Sequence, residues 1–169
     1  MTVIFLQGPH LFSQSREAGT DFSEIKKYMN KKEETTATPK SIYTDAIKLV
    51  LKQYNSAIEK KDLSGTESLF TNDSQIFESG ESKGTYARYK EDYLLPKLAG
   101  LKSEWFSDYS VNITVTGKYA FATESYNYFN TGKDEVQSSG KCINTFVLKR
   151  TNGQWKILTY HNSSKDNSN

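Results

Sequence analysis

From Lys102 to Asn162 the chain is almost wholly strand-like, and the strands are tied together by tight turns. Val111, Ile113 and Val115 alternate with Asn112, Thr114 and Thr116, and Gly117-Lys118 then reverses the chain. Tyr119 to Phe129 returns, Asn130-Thr131-Gly132-Lys133 turns again, and Gly140 to Arg150 and Trp155 to Asn162 complete a meander. Period-two alternation between glycine-bearing turns specifies antiparallel strands joined in sequence. Such a sheet has one apolar face that another element must cover.

The covering element lies upstream. Ile47, Val50, Tyr54, Ala57 and Ile58 recur at helical spacing, with Lys48, Lys52, Glu59 and Lys60 opposite, which predicts an amphipathic helix from Ser41 closed by Lys60-Lys61-Asp62. A short helix from Leu63 to Phe70, a strand from Ser74 to Ser79 and a turn between Gly80 and Gly84 follow. A third helix is expected from Thr85 to Leu95, halted near Pro96. Helices first and a long antiparallel sheet afterwards is an α+β order, with a curved sheet enclosing a pocket against the helices.

The domain is thus expected at 41–164, with a flexible tail at 1–40 and a disordered tail at 165–169. Residues 15–40 are rich in Ser, Glu, Lys and Thr, although Phe22, Ile25 and Met29 allow a short helix from Asp21 to Lys31. Thr2-Val3-Ile4-Phe5-Leu6 is apolar but lacks a preceding basic residue and is interrupted at Gly8-Pro9. It reads either as the remnant of an export signal or as a plain tail, so exported and cytoplasmic locations both stay open.

Composition removes several functions. A formal charge of +2, with Arg16, Arg88 and Arg150 as the arginines, makes a nucleic-acid partner unexpected. One cysteine, Cys142, and two histidines, His10 and His161, rule out an intrachain disulfide and argue against a metal site. Cys142 sits in an apolar run and reads as core. No cofactor is expected, and no stretch approaches a membrane span.

The strand Ala120 to Tyr128 supplies the leading candidate for chemistry. Ala120, Ala122, Glu124, Tyr126 and Tyr128 share a face, and the small alanines leave room beside a carboxylate and two phenols. Glu124 is accordingly expected as a general base or polar anchor if that face is the inner one, and as a solvated residue if it is not. His161, in the alternation Trp155, Ile157, Thr159, His161, is the second titratable candidate, with a structural role as its alternative. Tyr54, Glu78, Tyr89, Trp105 and Tyr126 are the expected ligand-binding residues. Arg88 reads either as a ligand contact or as a solvated helix residue.

The helix Ala46 to Asp62, the Phe77-Glu78-Ser79-Gly80 turn and the closing pattern Thr145 to Ser163, with Gly153-Gln154-Trp155 and Tyr160-His161, together resemble a SnoaL-like domain of the nuclear transport factor 2-like superfamily. The association domain of calcium/calmodulin-dependent kinases is similar in the same features. The resemblance covers about residues 42–164 and implies a conical α+β fold, cystatin-like in architecture. It implies less about function, since these domains include isomerases, cyclases and dehydratases as well as binding and assembly domains. Tyr126 and Phe146 stand where the kinase domain carries pocket arginines, and the two-histidine pattern of dehydratases is incomplete. The expected function is binding of an apolar small molecule bearing a few polar groups, by a homodimer. The alternatives are a cofactor-independent isomerase or cyclase moving a proton next to a carbonyl, with Glu124 as base, and an oligomerisation domain.

Overall fold

The computed structural model describes residues 39–167. The expected N-terminal tail up to residue 38, with its possible helix and His10, lies outside the described residues, as do residues 168 and 169. Helix α1 (Pro39–Glu59) buries Ile47, Leu51, Tyr54 and Ile58, one residue per turn of a single face. It ends in a Schellman-type cap. Lys61 adopts φ 54°, and the Asp62 and Lys61 amides reach back to the Ala57 and Ile58 carbonyls. The Lys61 side chain then donates to the carbonyls of Leu101 and Lys102, tying the helix end to the start of the sheet.

The expected second helix shrinks to a single 3-10 turn (Thr66–Leu69), and the chain enters β1 (Phe70–Glu78) and β2 (Glu81–Gly84). The next helix, α2, does not stop at Pro96. It runs from Tyr86–Tyr89 through a π-helical turn, Lys90–Leu94, into Leu95–Gly100. Proline lacks the amide that an uninterrupted helix would use there, and the widened turn places Pro96 in the first turn of the final segment, where that amide is not needed.

Strands β3 (Leu101–Thr116), β4 (Tyr119–Gly132), β5 (Gln137–Thr151) and β6 (Gln154–Asp166) form the expected meander. The six-stranded order is β2-β1-β6-β5-β4-β3. The sheet is mixed rather than wholly antiparallel, because β1 lies parallel to β6. The intervening helix and meander carry the chain back in the same direction, as a parallel neighbour requires. The last strand runs to Asp166, with Lys165 paired to Lys141, so residues 165 and 166 belong to the sheet and not to a tail.

Two irregularities position the site. In β3 the register slips between Ser107 and Ser110, with Asp108 at φ 53°. In β6 it slips beside Leu158, since Val147 pairs with Thr159 but Leu148 pairs with Ile157. Each is a bulge that exchanges the strand's inner and outer residues. The core beneath is aromatic. Phe70 and Tyr86 stack at 3.7 Å, and Tyr54 meets Phe70, Tyr86 and Tyr160 edge-on.

Candidate functional site

The inner face of β4 is the even-numbered one: Ala120, Ala122, Glu124, Tyr126 and Tyr128 are all buried. Glu124 is fully enclosed, and both its oxygens are engaged. Oε1 accepts from Asn144 Nδ2 at 3.0 Å and Asn55 Nδ2 at 3.3 Å; Oε2 accepts from Tyr109 OH at 2.7 Å and Asn55 Nδ2 at 3.2 Å. Burial raises its carboxyl pKa, and the bonds from Asn144, Tyr109 and Asn55 oppose that rise. Asn144 extends the network. Its Oδ1 accepts from Asn162 Nδ2 at 2.8 Å and from Tyr160 OH at 3.3 Å, while its Nδ2 also donates to Tyr126 OH at 3.0 Å.

A cavity of about 230 Å³ lies between α2 and the concave side of the sheet. Tyr126 and Cys142 line it and Glu124 does not, so Glu124 sits one residue behind the wall. The inner wall carries Glu78, Glu104 and Phe106, and the exposed Ser138, Ser164 and Asp166 mark the mouth. Lys97 on α2 is the one lysine or arginine among its lining residues.

Glu104 was not expected here. Its side chain is 4% exposed, Oε1 lies 4.0 Å from Lys97 Nζ, and Oε2 has no hydrogen-bond partner among the described residues. Burial is the largest cause raising its pKa; Lys97 opposes the rise and Glu59 adds to it. Asn130, its cross-strand neighbour, also lines the cavity, and its buried Oδ1 finds no partner among the described residues.

The remaining expected residues divide. Glu78 lines the cavity, and Tyr89, buried behind it, donates to Glu78 Oε1 at 3.4 Å. Tyr54 is a core residue whose hydroxyl has no partner among the described residues. Trp105 is 49% exposed and stacks on Phe129 at 4.0 Å. It borders an adjoining groove of about 640 Å³ that shares Asn130, Ser138 and Asp166 with the cavity.

His161 is exposed. The bulge at Leu158 ends the alternation begun by Trp155 and Ile157, so Tyr160, Asn162 and Ser164 face inward and His161 faces out. The geometry therefore leaves His161 outside the cavity. Arg88 is exposed and paired with Asp92. Among the described residues no group of three His, Cys, Asp or Glu is placed to hold a metal ion, and no helix is long and apolar enough to cross a membrane.

A search of curated protein sequences found no match. Solved structures share the fold. A nuclear transport factor 2-like superfamily protein from Salmonella enterica superposes with a TM-score of 0.68 at 16% identity, covering 77% of this chain and 96% of that one. A candidate ketosteroid isomerase from Shewanella frigidimarina gives 0.63 at 25% identity, covering 70% and 94%. A protein from Xanthomonas campestris, named for the calcium/calmodulin-dependent kinase II association domain, gives 0.58 at 19% identity, covering 79% and 93%. The sequence profile of the SnoaL-like domain matches residues 47–166, from the first buried residue of α1 to the last residue of β6. The chain belongs to the SnoaL-like domain family.

Proposed function

We propose that the chain binds a small polar molecule in the cavity between α2 and the sheet. The observation that supports this most is Glu104, a buried carboxylate among the cavity's lining residues whose Oε2 has no hydrogen-bond partner among the described residues. Buried polar groups are almost always hydrogen-bonded, and exceptions cluster where a ligand or water completes the set. The cavity volume lies below the ~300–1,000 Å³ of pockets that take drug-sized molecules, which favours a small ligand. Its polar wall also favours a more polar ligand than the sequence suggests.

Protein-detected NMR with a library of small polar fragments tests this on the full chain. Binders should move the amides of Tyr126, Cys142 and Asn162, and Ser164→Trp at the mouth should abolish the shifts while leaving the circular dichroism spectrum unchanged. Shifts confined to the outer sheet face, or undiminished by Ser164→Trp, would refute the reading.

A second reading is cofactor-independent proton transfer, in keeping with the name carried by the Shewanella neighbour. Its base would be Glu104, whose pKa is raised by burial, rather than the saturated Glu124. For assembly, Phe77, Phe121 and Ile143 are exposed large apolar residues on the outer face and offer a homodimer surface. Light scattering on wild type and Phe121→Lys tests that; a monomeric wild type would exclude it.

A further inference from the structure

The small-molecule reading leaves the ligand's charge open, and the cavity's own donors and acceptors decide it. Three carboxylates, Glu78, Glu104 and Asp166, line the space against one cation, Lys97, whose side chain is half exposed. Tyr89 engages one oxygen of Glu78, and Tyr128 donates to Oδ1 of Asp166, so protein donors reach only part of this acceptor set. Glu104 and Asn130 are cross-strand partners, and Glu104 Oε2 and Asn130 Oδ1 have no hydrogen-bond partner among the described residues. A ligand carboxylate or phosphate would face the three carboxylates with like charge in a partly desolvated space, where repulsion is strongest. A ligand that carries positive charge balances the three carboxylates.

Two further observations narrow the cation. The acceptors are too dispersed for a metal ion, since no three carboxylate, cysteine or histidine groups converge among the described residues. An organic ammonium, with donors pointing in several directions, fits separated acceptors. Phe106 and Tyr126 supply adjoining aromatic rings, 4.5 Å apart and tilted by 41°, at the same cavity wall. Ring faces attract ammonium groups and do not attract carboxylates.

Resting on the small-molecule reading, we infer that the cavity selects a small organic amine in its ammonium form, with the carboxylates of Glu78, Glu104 and Asp166 balancing its charge. Phe106 and Tyr126 hold the carbon skeleton, and Lys97 opposes the cation and weakens its binding.

The test uses the full chain and three probes of one shape: benzylamine, benzyl alcohol and benzoate, titrated by protein-detected NMR at pH 7. Benzylamine should bind tightest and benzoate weakest, with shifts at Glu104, Asn130 and Tyr126. Glu104→Gln should weaken benzylamine about tenfold, the loss expected when one of the three balancing charges is removed. Lys97→Met, at a half-exposed position, should tighten it. The inference is overturned if benzyl alcohol or benzoate binds as tightly as benzylamine, or if Glu104→Gln leaves the amine's affinity unchanged. In either case, shifts at Tyr126, Cys142 and Asn162 from a neutral or anionic probe would keep the small-molecule reading. Silence of the cavity amides with all three probes would overturn both.

Discussion

Replacing Glu104 by Gln should make the unliganded protein more stable. The wild-type carboxylate is 4% exposed, has one oxygen without a protein partner, and finds its nearest cation 4.0 Å away on Lys97, itself half exposed and screened. Leaving a buried polar group unsatisfied costs about 1–3 kcal/mol, more if it is charged. The attraction of Lys97 offsets part of that, while Glu59 adds repulsion. Gln removes the charge and brings an amide donor toward the unpartnered acceptor of Asn130. A net gain of about 1–2 kcal/mol follows, or roughly 3–10 °C in Tm for a domain of this size.

The pH dependence carries the sharper information. Because the folded-state pKa of Glu104 is raised, the wild type loses this group's contribution as pH rises from the ordinary glutamate value of ~4.3 through the folded-state value. Glu104→Gln should therefore match wild type below the ordinary glutamate value and exceed it increasingly as pH rises through the folded-state value. Thermal melts at a series of pH values measure this. A variant no more stable than wild type at the upper pH, or equally stabilised at both ends, would show that Glu104 is not a strained, ionisable wall residue. On the proposed ligand-binding reading, a wall residue that costs stability when the cavity is free is the usual trade-off between function and stability.

Other consequences concern the groups around the cavity. Tyr109→Phe removes the 2.7 Å donor to Glu124 and should cost about 1–2 kcal/mol in urea unfolding, a loss that shrinks in a Glu124→Gln background because the two residues are coupled. Asp108→Val should destabilise by about 1–2 kcal/mol because a β-branched residue resists φ 53°, whereas Asp108→Gly should cost less; thermal melts rank the two. Gly140→Ala should cost about 1–3 kcal/mol, since a Cβ there would lie 2.3 Å from the Lys165 carbonyl and 2.4 Å from Tyr128 OH. Hydrogen exchange should show that loss concentrated where Gly140 pairs with Asp166, beside the cavity mouth.

The order of elements, the long helix and the meander are legible in the chain because each follows from a local period: three to four residues in α1 and two in β3 to β6. The same period places Ala120, Glu124 and Tyr126 on one face of β4, and the fold makes that face the inner one. Whether Glu124 faces an open cavity was a tertiary matter. Asn55, Tyr109 and Asn144 arrive from α1, β3 and β5 to saturate it, and nothing near residue 124 announces them.

The cavity wall was decided by two bulges. Carrying the parity of Val111, Ile113 and Val115 back along β3 would bring Trp105 inward; the slip at Asp108 turns Trp105 out and Glu104 in. Carrying Trp155 and Ile157 forward along β6 would bring His161 inward; the slip at Leu158 puts Asn162 there instead. An Asp that tolerates the left-handed region was a faint signal for the first bulge. Leu158 carried none. A strand's two faces differ by a single residue of register, so an insertion that costs the backbone little exchanges every side chain beyond it, and only pairing across the sheet fixes where that insertion falls.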